Sequence, residues 1–306
     1  MHMHFGWVNN PEEVQRQLTQ LPKPLFGNSL QPKTNDADTL LYKIVRSVIN
    51  QDAPKGPQGI GDCVSWATAN FVNYLQCVAI DQALKTVDPD DELAKNNIIL
   101  AYEEIATEVI YALSRVEVGG QRGSYSDGST GIWALRAVNL WGNLSRKHLE
   151  RKGLSGAYDS RRAKEWGAKG LPDNLEPDAK TKLVKTVSLV KSYKEAVAAI
   201  DNGYPVVVCS DQGFTMTRDS DGFCRPKGTW YHAMLFMATR KGRRPGLGCL
   251  QSWGGMVPDG PLALDQPDNS FFVDAEICER MLRQGDSFTG SQFDGYPAQD
   301  IVTWRH

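Results

Sequence analysis

Of the 6 cysteines and 5 histidines in this chain, one cysteine has surroundings arranged for chemistry. A thiol is a useful nucleophile only as its thiolate, and the positive end of a helix stabilises that charge. Downstream of Cys63, the apolar residues Val64, Ala67, Phe71, Leu75 and Val78 recur at spacings of three and four, which predicts a long helix with one buried face. Asp62 is the expected N-cap, and Gly59 and Gly61 form the tight loop leading in, so Cys63 falls on the first helical turn. A backbone N–H at such a helix start could also hold the oxyanion that develops when a thiolate attacks a carbonyl. The remaining cysteines (Cys77, Cys209, Cys224, Cys249, Cys278) lie far apart without zinc-site spacing, and most are read as buried free thiols. Of the histidines, only His148 and His232 lie away from the termini; His148, in SRKHLERK, reads as a solvated helical residue.

The elements around these residues divide along the chain. A second helix is expected from about Leu93 to Ser114, then a Gly/Ser-rich loop, GGQRGSYSDGST, then a helix in IWALRAVNLWG. Beyond Pro177 the pattern changes: KTVSLV reads as a strand, Ser192 with Glu195 makes a capping box for YKEAVAAID, and PVVVCS reads as a buried strand. WYHAMLFMAT, GLGCLQSWGG and NSFFVDAEI continue the strand-like run, whereas the tail from Gly285 reads as irregular. Helices first and strands second predict an α+β architecture with a cleft between the halves. The first 45 residues combine a polar helix candidate, Pro11 to Leu21, with an extended stretch containing Pro22, Pro24 and Pro32; they read as an extension (1–45) wrapping a main domain (46–306), itself divided into a helical half (about 60–177) and a β-rich half (about 178–306).

Three segments, in order, carry a family resemblance. QGIGDCVSWATANF resembles the nucleophile segment of papain-like cysteine peptidases, in which a glutamine precedes a small-residue turn, the cysteine and an aromatic-bearing helix. KGTWYHAMLFMAT is similar to the strand that carries the family's histidine. LQSWGG resembles the segment in which an asparagine, followed by Ser-Trp-Gly, orients that histidine; here Gln251 stands in the asparagine position, before Ser252, Trp253 and Gly254. His232 lies 169 residues after Cys63, longer than the roughly 130–150 of papain-like enzymes, and insertions in the middle region account for the difference. Gln58 lies five residues before Cys63, one fewer than is usual. Val64 occupies the family's tryptophan position, with Trp66 the candidate for that packing, and Ile60 replaces a loop cysteine, as suits a reducing compartment.

The resemblance implies a two-lobed papain-like fold with a helical left half, a β-barrel-like right half and the active site between them. It implies Cys63 as nucleophile, His232 as its base, Gln251 orienting the imidazole and Gln58 as side-chain donor to the oxyanion, with Trp253 shielding the imidazole's hydrogen bond. The reaction implied is hydrolysis of a peptide or protein substrate through an acyl-enzyme, without metal or organic cofactor. The alternative is a non-catalytic papain-like module in a larger assembly such as a virion, engaged through the N-terminal extension or the C-terminal tail; acyl transfer from the same acyl-enzyme is a third reading. With 34 basic and 36 acidic residues the net charge is −2, which argues against nucleic acid or an anionic membrane as partner. No apolar run approaches the roughly 18–20 residues of a membrane span, and no secretory signal is evident, so a cytoplasmic setting is expected, with a virion as the alternative.

Overall fold

The long helix predicted after Cys63 forms the centre of the molecule in the computed structural model, which describes residues 3–23, 25–27 and 30–305; Pro24 of the Pro-rich stretch lies outside them. Helix α1 (Pro11–Leu18) is followed by β1 (Thr39–Leu40), α2 (Leu41–Ile49) and the long α3 (Cys63–Leu84). Then come α4 (Glu92–Ile99), α5 (Thr107–Ala112), α6 (Gly131–Leu140), α7 (Arg146–Arg151), α8 (Ser160–Lys169) and α9 (Glu176–Ala179). The C-terminal half holds β2 (Thr186–Leu189), α10 (Tyr193–Asp201), β3 (Val206–Phe214), β4 (Pro226–Arg240), β5 (Gly246–Leu250), β6 (Ser270–Asp274), α11 (Ala275–Leu282) and β7 (Phe288–Ser291). The segregation of helices from strands follows the expected α+β class.

Every residue of α3 from Cys63 to Leu75 is buried, so the single buried face expected of it is corrected to burial all round. The cause is its place between the halves: α3 packs on α2 and α5 on one side and on β3 and β4 on the other. A helix in that position has no solvent face over its first turns. Phe71 alone, with no exposed surface, contributes about 1.5–3 kcal/mol of burial.

The sheet runs β2-β7-β3-β4-β5-β6, with β1 paired to the far end of β4. All these pairings are antiparallel, and β2 and β6 stand at the two ends of the path, so the barrel-like half is an open sheet among the described residues. Strand β4 is the longest, pairing with β3 along one edge and β5 along the other; in that register His232 lies opposite Ser210.

Three expectations change. The helix expected over Leu93–Ser114 is two helices, α4 and α5, separated by a connection in which Gln76 and Asn73 of α3 bond the backbone of Glu103 and Ile105; α5 then continues as a π-helical turn, Leu113–Val118. The tail read as irregular supplies β7, which sits between β2 and β3, and Trp304 further on exchanges two backbone hydrogen bonds with Asp38. In the capping box, Ser192 Oγ accepts from Glu195 N as expected, but the Glu195 carboxylate accepts from Lys191 N.

Candidate active site

Cys63 opens α3 and is wholly buried. Its sulfur accepts a hydrogen bond from the backbone N–H of Ala233, 3.4 Å away, so the residue next to His232 in β4 touches the thiol directly. Asp62 occupies the N-cap position, but its side chain makes no cap bond; instead it accepts a hydrogen bond from the Tyr158 hydroxyl at 2.8 Å. Burial raises the Asp62 carboxyl to about 8. Trp66, one turn on, meets the Tyr158 ring at 5.0 Å between centres, so Tyr158 ties the helix start to the helical half. Sequence reasoning gave no signal for Tyr158, which comes from an irregular segment almost a hundred residues away.

His232 is also fully buried, and neither ring nitrogen has a hydrogen-bond partner among the described residues. The Trp253 indole stacks on its face, and Phe5 meets its edge at 6.3 Å between ring centres. Burial pushes the imidazole down to about 3 and the Cys63 thiol up to about 12. Burial thus favours the neutral form of both groups in this arrangement.

The hydrogen bond expected from Gln251 to His232 is absent among the described residues. The Gln251 amide folds back into its own loop, donating to the carbonyls of Gly254 and Val257 and accepting from Trp253 N. The longer arm of glutamine lets it reach round the turn that an asparagine would only begin. Asn269, which the sequence reading did not single out, holds this corner by donating to the Gln251 carbonyl at 2.7 Å. Gln58 does face the cleft: its Nε2 donates to the main-chain carbonyl of His4 at 3.0 Å and of Ile60 at 2.9 Å, while its Oε1 accepts from the Ser252 hydroxyl.

The N-terminal segment closes the site. Gly6 N and Trp7 N both donate to the Tyr231 carbonyl, at 3.1 and 3.0 Å, on the β-rich side. On the helical side, Val8 N donates to Ser129 O at 2.9 Å and Ser129 N to Gly6 O at 2.8 Å. Residues 4–8 thus strap the two halves together across Cys63. Gly6 is required here, because a Cβ would lie 1.9 Å from Gly61 O. The Gly6 backbone N–H also faces the Cys63 sulfur, where it partly offsets the effect of burial. The Trp7 indole is buried beside the Tyr231 ring and donates to Asp286 at 2.7 Å. Asp286 is itself buried, accepts from the first two amides of α6, Gly131 N and Ile132 N, and is raised to about 6 by that burial.

No protein-family model matches this chain, and no curated protein matches it in sequence. Solved structures match it in fold. Xylellain, a cysteine protease from Xylella fastidiosa, aligns with a TM-score of 0.55 at 14% identity over 95% of this chain and 92% of that one. The cysteine protease and lectin-like domains of Cwp84 from Clostridium difficile align at 0.52 and 12% identity, over 96% of this chain and 62% of that one. The proform of the ragweed pollen cysteine protease Amb a 11 aligns at 0.51 and 11% identity, over 92% and 74%. At such identities the likeness is one of fold: the chain has a divergent papain-like architecture.

Proposed function

We propose that this chain is a latent cysteine peptidase whose cleft is closed by its own N-terminal strap. The observation that carries the reading is Gln58: its amide holds the carbonyl oxygen of a peptide laid across the cleft, which is the task an oxyanion donor performs on a substrate. The strap is not positioned as a substrate, because it offers Cys63 the N–H of Gly6 and not a carbonyl carbon.

Once the strap leaves, water reaches both buried groups, the thiol pKa falls and that of the imidazole rises. The Cys63 proton passes to His232, and the thiolate forms a C–S bond to the substrate carbonyl carbon. Gln58 Nε2 and the Cys63 N–H hold the oxyanion. As the C–N bond breaks, His232 gives its proton to the leaving amine; a water then loses a proton to His232 and adds to the thioester, and the C–S bond breaks as that proton returns to the sulfur, releasing the acid and the thiol. Gln251 supports this chemistry by shaping the loop that carries Trp253, in place of a direct bond to the imidazole. Acyl transfer differs only in replacing that water with an amine.

The second reading, a non-catalytic module, draws on the same Gln251 geometry, since no side chain among the described residues hydrogen-bonds a ring nitrogen of His232. The test is alkylation of Cys63 across pH, located by mass spectrometry, in the parent, in Gly6→Ala, whose added methyl collides with Gly61 O, and in Gly6→Ala combined with His232→Ala. Slow labelling of the parent, fast labelling of Gly6→Ala near pH 6 and loss of that rate without His232 support the peptidase and justify a peptide screen. Labelling of Gly6→Ala at the rate of an ordinary thiol, indifferent to His232, leaves a scaffold.

A further inference from the structure

A cavity of about 770 Å³ opens beyond the rings that cover His232. It is reached ring by ring: Trp253 lies on His232, Trp230 meets Trp253 at 4.9 Å, and Trp230 lines the cavity wall with Phe214, Met216 and Phe223. Phe5 of the strap, edge-on to His232, and Met3 just before the strap also line it. A main chain lying beside Cys63 and His232 therefore continues into this cavity, and its alternate side chains enter an apolar chamber.

The chamber is also electropositive. Arg218, Arg225 and Lys227 line it, and the one acidic side chain there among the described residues, Asp219, is paired with Arg244 at 2.7 Å. Arg218 is buried and spends its guanidinium on main-chain carbonyls of Gly260, Pro261, Asp268 and Ser270, and it forms no ion pair among the described residues. Arg225 and Lys227 are exposed and form no ion pair among the described residues.

Resting on the peptidase reading, we infer that this cavity recognises the leaving-group side of the substrate, selecting a large apolar residue just after the scissile bond and a carboxylate within the next two residues. His232 must protonate the leaving amine, and the cavity joins His232 through the stacked Trp253 and Trp230, whereas Trp7 and Val8 lie against Tyr231 and Ser129. The carboxylate comes from an Asp or Glu side chain or from the chain terminus; both suit the same cations.

The cavity is open in the strapped protein, so binding is tested without turnover. Capped Phe-Ala-Asp, Phe-Ala-Lys and Ala-Ala-Asp peptides, together with Phe-Ala-Ala bearing a free or an amidated C-terminus, are titrated against the full chain and followed by chemical-shift changes at the Trp230 indole. The apolar, anionic peptides should bind about tenfold more tightly than their cationic and small-residue counterparts, and Arg225→Glu with Lys227→Glu should remove that preference. Whether the free terminus or the aspartate binds better identifies the source of the carboxylate. Equal binding of all peptides, or a preference untouched by the charge reversals, overturns the inference. In Gly6→Ala protein the same peptides, extended through a scissile bond, are assayed for cleavage. Selective binding without cleavage retains the cavity as a recognition site and removes the peptidase reading, whereas cleavage indifferent to these residues does the opposite.

Discussion

The Trp253 indole lies over the His232 imidazole with ring centres 4.2 Å apart and planes 25° from parallel. That lid, together with Phe5, keeps the imidazole dry and neutral. Trp253→Ala should admit water and return His232 from about 3 toward the ordinary histidine value near 6.5, at a cost of about 3–5 kcal/mol for the lost indole. Imidazole resonances followed through a pH titration check this. Trp253→Phe, which keeps a ring over His232 and loses only the Nε1 bond to His4 O, should leave most of the depression in place.

Gln251 supports a loop through three hydrogen bonds of its amide, so Gln251→Ala should lower unfolding free energy by about 1–3 kcal/mol while moving the ring-nitrogen shifts of His232 far less than Trp253→Ala does. Urea unfolding and nitrogen-15 spectra provide the two readouts. A change at His232 as large as that caused by opening its lid would restore the direct orienting role implied by the family resemblance.

These two residues show what the sequence could and could not convey. The helix starting at Cys63 and the strand bearing His232 are legible because apolar spacing and glycine punctuation are local signals, and both elements form where they are expected. The direction of the Gln251 amide is not legible, since it is decided by where the chain returns at Val257 and by Asn269 beneath it. The strap is hidden for the same reason. Nothing local to HFGWV says that Gly6 must fit against Gly61 or that Trp7 will find Asp286, because those contacts join segments from opposite ends of the chain. The tail's β7 is short and carries a glycine, Gly290, so it gives little strand pattern of its own, and its pairing with β2 and β3 determines its form.

The buried imidazole carries a pH dependence whose sign is fixed. Folded His232 binds its proton only near pH 3, so the unfolded chain takes it up first as pH falls. The stability supplied by neutral His232 is full above about pH 6.5 and is lost between there and about pH 3. Asp62 and Asp286, raised to about 8 and about 6, act oppositely, since their contribution is present in acid and lost as pH rises through those values. A comparison of parent with His232→Gln isolates the first effect. The stability difference, parent minus variant, should shrink as pH falls from 7 to 4, by up to about 1.4 kcal/mol per unit once below 6.5. A difference constant with pH in urea titrations would mean that the folded imidazole titrates normally.

Asp286 holds three donors at once: the Trp7 indole of the strap and the first two amides of α6. The strap and the junction between the halves therefore share one carboxylate, but they should separate on mutation. Trp7→Phe keeps an aromatic ring in the slot and deletes one hydrogen bond to a charged acceptor, worth about 1.5–3 kcal/mol, so strap opening and Cys63 alkylation should rise about ten- to hundredfold. Global stability should fall by no more than that one bond, because α6 keeps both of its amide bonds to Asp286. Asp286→Asn weakens all three bonds and should lower the melting temperature as well as speed alkylation. Equal alkylation rates in parent and Trp7→Phe would show that the main-chain bonds of Gly6, Trp7 and Val8 to Tyr231 and Ser129 hold the strap without the indole.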